Sequence, residues 1–147
     1  MQTLLITQGI SGSGKSTWAK AFVAKDTENW VRSSRDDLRA QMFGNPTYDA
    51  AQESAVGVAQ DGMVKALLAA GKSVVIDNTH LHPLAIKHWR GLADFVGVKF
   101  EVKTFAISVE KAKANVAKRA AAGGLFVPDD VIDAQHGTLN KFAASFK

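Results

Sequence analysis

The sequence predicts an α/β sandwich, a parallel sheet with helices packed on both faces. Two observations predict it. Short apolar, β-branched runs alternate with segments whose apolar residues recur at helical spacing. The first of these runs is also joined to the first helix by Gly9-Ile-Ser-Gly-Ser-Gly-Lys15-Ser16, which satisfies G-x-x-x-x-G-K-[ST] at every fixed position. With 147 residues, and no internal repeat, low-complexity tract or Pro/Gly/Ser linker, residues 1–147 are expected to form a single domain.

Taken in order, Thr3–Thr7 reads as a buried strand bounded by Gly9. Ser16–Lys25 follows as a helix, with Trp18, Ala19, Phe22 and Val23 on its apolar side. A second strand is expected near Trp30–Ser33. Ser34 can then cap a helix from Arg35 to about Phe43, ended by Gly44-Asn45-Pro46. Ala50–Ala70 reads as a longer helix that Gly57 and Gly62 weaken and Gly71 ends. Ser73–Asp77 is a strand with an acid at its C-terminal end. Pro83 opens a helix to about Val96, in which Trp89 and Phe95 are expected in the core. Lys99–Ala106 alternates like a strand with one wet face. Val109–Ala122 and Pro128–Phe146 are the last helices, separated by Gly123-Gly124.

The loop chemistry follows from the residue types. Gly9, Gly12 and Gly14 let the backbone curl until successive N–H groups converge on phosphate oxygens. The helix starting near Lys15 adds its positive end. Lys15 can place a charge on the β/γ-phosphates, and the Ser16 hydroxyl can ligate Mg²⁺. Gly12, Ser13, Gly14, Lys15, Ser16 and Thr17 are therefore the expected ATP-binding residues, with ATP and Mg²⁺ the expected cofactors. The loop identifies a phosphate donor and says nothing about the acceptor.

Composition excludes several classes. No stretch approaches the roughly 20 apolar residues that span a bilayer, and Leu4–Ile6 is too short for a secretory signal. The absence of cysteine excludes disulfides and thiolate metal sites, and fits a reducing cytosol. Net charge is +4, unevenly spread: Lys87–Arg119 carries eight Lys/Arg against three acids, a surplus of five. Such a basic half suits a polyanionic partner or is a solvated lysine surface.

The acceptor side centres on Ser33-Ser34-Arg35-Asp36-Asp37-Leu38-Arg39. Acids at a helix start can be simple caps. Asp36 and Arg39, three apart, nevertheless share one helix face. A carboxylate there can orient and deprotonate a hydroxyl while a guanidinium grips a phosphate. At this point the sequence resembles the polynucleotide 5′-kinases, in particular the kinase module of the bacteriophage kinase-phosphatases. Gly12-Ser-Gly-Lys-Ser-Thr-Trp-Ala19 and Arg35-Asp36-Asp37-x-Arg39 carry the resemblance. It implies that Asp36 is the general base toward a DNA or RNA 5′-hydroxyl and that Arg39 binds the acceptor phosphate.

Val75-Ile-Asp77-Asn78-Thr79-His80 resembles the family's D-x-T-N segment, with His80 in place of its asparagine and the family's acid aligned with Asn78. Asp77 and Asn78 are both candidates for the metal site there, and Asp77 can also be a plain turn cap. Asn115-x-x-x-Arg119 and Val127-Pro128-x-Asp130 resemble a lid, about residues 109–128, from which Arg119, or its neighbour Lys118, would meet the transferring phosphate. No D-x-D-x-T phosphatase motif appears.

His80, His82 and His88 lack a supporting carboxylate or cysteine at ligand spacing and are expected as surface or hinge residues. Trp18 fits either the core or an adenine site. Together these observations predict a three-layer P-loop NTPase fold of the adenylate-kinase-like group. The expected function is a polynucleotide 5′-hydroxyl kinase using Lys15, Asp36, Arg39 and Arg119, with Ser16 and Asp77 toward the metal. A small-molecule kinase or a non-catalytic nucleotide-dependent binding module are the alternatives. Oligomeric state is not legible.

Overall fold

A computed structural model describes residues 1–146. Four strands form one fully parallel sheet: β1 (Thr3–Gln8), β2 (Trp30–Ser33), β3 (Ser73–Ile76) and β4 (Lys99–Thr104). Their order across the sheet is β2-β3-β1-β4, so β1 and β3 are central and buried. Parallel neighbours require crossovers. These are supplied by α1 (Lys15–Ala24), α2 (Arg35–Phe43), α3 (Ala50–Ala69) and α4 (Pro83–Val96). Two more helices follow β4, α5 (Val109–Ala121) and α6 (Asp129–Lys141).

Alternation along the central strands builds the layers. Leu4, Ile6, Val74 and Ile76 point to one face and pack with Val64 and Leu68 of α3 and Ile86, Trp89 and Ala93 of α4. Leu5 and Val75 point to the other face, against Ala19 and Phe22 of α1 and Trp30. A third cluster joins Ile10 of the glycine-rich loop to Ala112 and Val116 of α5 and Ile132 of α6. Through it the last two helices bear directly on the loop.

Local chemistry explains the element boundaries. The Ser34 side chain accepts from Asp37 N to cap α2, and Gly44, with φ 77°, ends it in a left-handed turn. Asp49 caps α3, and His82 caps α4 just before Pro83. The last helix is shorter than the sequence pattern suggests: α6 stops at Lys141, and Ala143–Phe146 is a separate 3₁₀ turn. Strand β4 lies at a sheet edge with no fully buried residue.

Two expectations are corrected. Trp89 is in the core, but Phe95 is 90% exposed. Six residues advance about 600° along a helix, so Phe95 is turned well off the Trp89 face. His80 is not a surface residue. It is buried in the loop after β3 with a left-handed φ of 47°.

Candidate active site

The strands deliver their C-terminal ends to one edge of the sheet, where loops gather around a cleft of about 1320 Å³. The loop after β1 forms its floor. Gly12 and Gly14 take φ values of 81° and 94°, open only to glycine at little cost. A Cβ at Gly12 would overlap the Ala112 carbonyl oxygen, whereas Gly14 faces open space. Gly9 N donates to Thr79 O at 3.0 Å, tying the loop to the segment after β3. Asn115 of α5 donates to Gly12 O at 2.9 Å, and Gln135 of α6 accepts from Ser11 N at 2.8 Å.

Lys15 opens α1 and is buried. Its ammonium donates to Ile10 O at 2.8 Å and to Ser13 Oγ at 3.3 Å. Burial is the main reason its pKa falls from 10.5 to about 8, with Asp77 opposing the fall and Arg119 adding to it. A curled backbone facing open space, a helix N-terminus and a buried ammonium fit a triphosphate. Ser16 and Asp77 offer the oxygen donors that Mg²⁺ takes together with phosphate oxygens. Among the described residues no cluster of three or more His, Cys, Asp or Glu could hold a metal without such help.

The opposite wall is built on α2 and α3. Asp36 is half-exposed and meets Arg39 Nη1 at 2.5 Å, as the three-residue spacing requires. Arg39 itself is only 7% exposed. Its Nε and Nη2 bind both oxygens of Glu53 at 2.9 and 3.0 Å, and Nη1 reaches Pro46 O at 3.4 Å. Burial disfavours the Arg39 charge, but the bonds and charge of Glu53, then of Asp36, outweigh it and hold its pKa above the ordinary value. Burial likewise pushes Glu53 up, and the bonds from Arg39 and Arg35 more than reverse it. Sequence reasoning missed Glu53. Its signal was an acid in the first turn of α3, which reads equally well as helix-start chemistry.

Asp77 lies in the cleft wall one residue beyond β3, buried, with Oδ2 bound by Arg32 Nε at 2.9 Å and Nη2 at 2.7 Å. Arg32 was also missed. Its Nη1 continues to Asp37, so the second acid of the Asp-Asp pair braces β2. Burial opposes the Arg32 charge, and Asp77 followed by Asp37 raises its pKa regardless. The Asn78 amide is committed elsewhere: Oδ1 accepts from Arg35 N at 3.1 Å and Nδ2 donates to Gln60 at 2.9 Å. A Cβ at Gly57 would sit 3.3 Å from Arg35 Nη2, a close approach to the far end of that side chain.

Arg119 lines the cleft, with Nε donating to Leu125 O at 2.7 Å, and Lys118 does not line it. His80 Nδ1 donates to Thr7 O at 2.5 Å, leaving Nε2 buried without a partner among the described residues. Burial lowers its pKa to about 4, so the ring is neutral at physiological pH. His82 is spent on its cap, and His88 pairs with Asp61. Trp18 stacks on Phe22 and meets Phe105 edge-on, with the Lys103 ammonium 4.9 Å from its ring.

Comparison with known proteins places the family and the fold. The family model AAA_33, described as an AAA domain, matches residues 4–142. The chain belongs to that family.

Over 131 residues it is 28% identical to a protein of Autographa californica nuclear polyhedrosis virus named as a bifunctional polynucleotide kinase/RNA ligase. The match covers 80% of the chain and 18% of that protein. A chain of the Pnkp1/Rnl/Hen1 RNA repair complex superposes with a TM-score of 0.88 at 29% identity, over 99% of this chain and 46% of that one. A gluconokinase from Sinorhizobium meliloti 1021 shares the fold, with a TM-score of 0.61 at 20% identity over 93% of this chain and 74% of its own. The chain thus spans less than half of the two repair proteins. The resemblance to polynucleotide kinases carried by Gly12–Ala19 and Arg35–Arg39 agrees with both matches. Among the described residues no helix is long and apolar enough to cross a membrane.

Proposed function

We propose that the chain is an ATP-dependent polynucleotide kinase that moves the γ-phosphate of ATP to a 5′-hydroxyl end of DNA or RNA. The observation that carries this reading is the Asp36–Arg39–Glu53 constellation, which shares one cleft with the phosphate loop. A small carboxylate, open to the cleft but aimed by a buried guanidinium, is what activating an incoming alcohol requires.

In this reading the backbone of Gly12–Thr17, the N-terminus of α1 and Lys15 hold the triphosphate. The Ser16 hydroxyl and Asp77 would hold Mg²⁺, which would neutralise phosphate charge. Asp36 takes the proton of the 5′-hydroxyl as its oxygen attacks the γ-phosphorus. The new O–P bond forms while the bridging P–O bond to ADP breaks, and ADP leaves with the electron pair. Arg119, near Lys15, meets charge on the transferring group.

Arg39 serves mainly to aim Asp36. Of its five N–H groups, four are engaged, leaving one hydrogen on Nη2 for an acceptor phosphate. The basic segment from Lys87 to Arg119 supports a polyanionic acceptor.

The test offers labelled ATP with Mg²⁺ to 5′-hydroxyl DNA, 5′-hydroxyl RNA and pooled metabolites. Transfer to an oligonucleotide is expected, with a KM that rises steeply with salt. Asp36→Asn should lower kcat about 10²- to 10⁴-fold. A near-normal kcat would remove Asp36 from the base role, and transfer to metabolites alone would replace the acceptor class with a small molecule.

A further inference from the structure

Tyr48 is an aromatic side chain left largely open to solvent beside the charged Asp36–Arg39–Glu53 cluster of the cleft. It sits in the loop between α2 and α3, is 64% exposed, and lines the same cleft as Asp36, Arg39 and the phosphate loop. A tyrosine free to choose would cover its ring, so its position asks for an explanation. The Arg39 guanidinium lies over its ring, 5.7 Å from the centroid. That guanidinium is itself held by Glu53, Asp36 and Pro46, so the ring rests on a rigid support rather than a mobile one. Much of the residue stays open to solvent.

We propose that Tyr48 is the stacking platform for the base of the acceptor's 5′-terminal nucleoside. This rests on the reading of the site as a polynucleotide 5′-hydroxyl kinase. One guanidinium spaces the two contacts: it lies 5.7 Å from the ring centroid and 2.5 Å from the Asp36 carboxylate. A nucleoside likewise carries two groups, a base to meet the ring and a 5′-hydroxyl to meet the carboxylate. Stacking on an aromatic face tolerates every base, which suits an enzyme acting on ends of any sequence. A ring with only two side-chain torsions loses little entropy on becoming such a surface.

The test compares two single-stranded acceptors that differ only in whether the 5′-terminal nucleoside carries a base. With wild-type protein, removing the base should lower kcat/KM about 10-fold, mostly through KM. Tyr48→Ala should show the same loss on the acceptor with a base and little further loss on the abasic one, while Tyr48→Phe keeps the wild-type pattern. A 5′-terminal 2-aminopurine should be quenched on binding wild type or Tyr48→Phe and stay bright with Tyr48→Ala.

If Tyr48→Ala loses equally on both acceptors, or leaves quenching intact, the platform is wrong while the kinase reading stands. If wild type phosphorylates neither acceptor, the kinase reading itself falls and the platform with it.

Discussion

Lys15→Met should make the nucleotide-free protein more stable at pH 7 while abolishing ATP binding. The wild-type ammonium is buried, and burial is the chief reason its pKa drops from 10.5 to about 8. A lowered lysine pKa means that the fold disfavours the ionised form. The penalty is complete below pH 8, where both folded and unfolded chains carry the proton. It fades as pH rises from about 8 to 10.5, where only the unfolded chain still binds it.

A drop of that size corresponds to about 3 kcal/mol. Methionine fills similar volume without charge, but leaves Ile10 O without the donor that Lys15 supplies at 2.8 Å, at a cost of about 1–2 kcal/mol. The expected net gain is about 1–2 kcal/mol at pH 7, shrinking to nothing or reversing by pH 10. Urea unfolding midpoints measured from pH 7 to 10, with an unchanged slope, give the comparison. A mutant less stable than wild type at pH 7, or a stability difference flat across that range, would refute the electrostatic argument. The expected gain would mean that stability is sacrificed at this position to hold a cation ready for phosphate.

Glu53→Gln should destabilise the protein by about 1.5–3 kcal/mol, since it weakens the acceptor for Arg39 and Arg35. Glu53 titrates below its ordinary 4.5 in the folded protein, so its contribution is present above that pH and lost as pH falls through the lower folded value. Acid titration of the mutant should lose that part of the limb, and its kcat should fall because Asp36 is no longer aimed. Gly12→Ala combines a positive φ with overlap on the Ala112 carbonyl, and should cost more than about 3 kcal/mol or prevent soluble expression. His80 takes its proton at about 4 when folded against an ordinary 6.5, so wild-type stability should decline as pH falls from 6.5 toward 4. His80→Asn, which tolerates the left-handed backbone, should flatten that decline in pH-dependent thermal unfolding.

The sequence by itself determined the layered α/β architecture, nearly every element boundary and the phosphate loop. Those features are local: strand and helix periodicities, cap residues, and a glycine pattern whose spacing is read along the chain. It also placed Asp36 and Arg39 on one helix face, because three residues in a helix is a fixed geometry.

Only the tertiary structure decided what those side chains touch. Glu53 lies 14 residues from Arg39 and Asp77 lies 45 from Arg32, and no periodicity relates such positions until α3 crosses α2 and β3 pairs with β2. The Asp-Asp pair was therefore divided in space: Asp36 turns to the cleft, and Asp37 joins Arg32. His80 shows the same limit, since a histidine in a loop reads as exposed until the neighbouring strand end closes over it. Burial and charge pairing are properties of chain segments brought together. They are set by which sheet edge each segment reaches, and composition along the chain does not encode that one residue at a time.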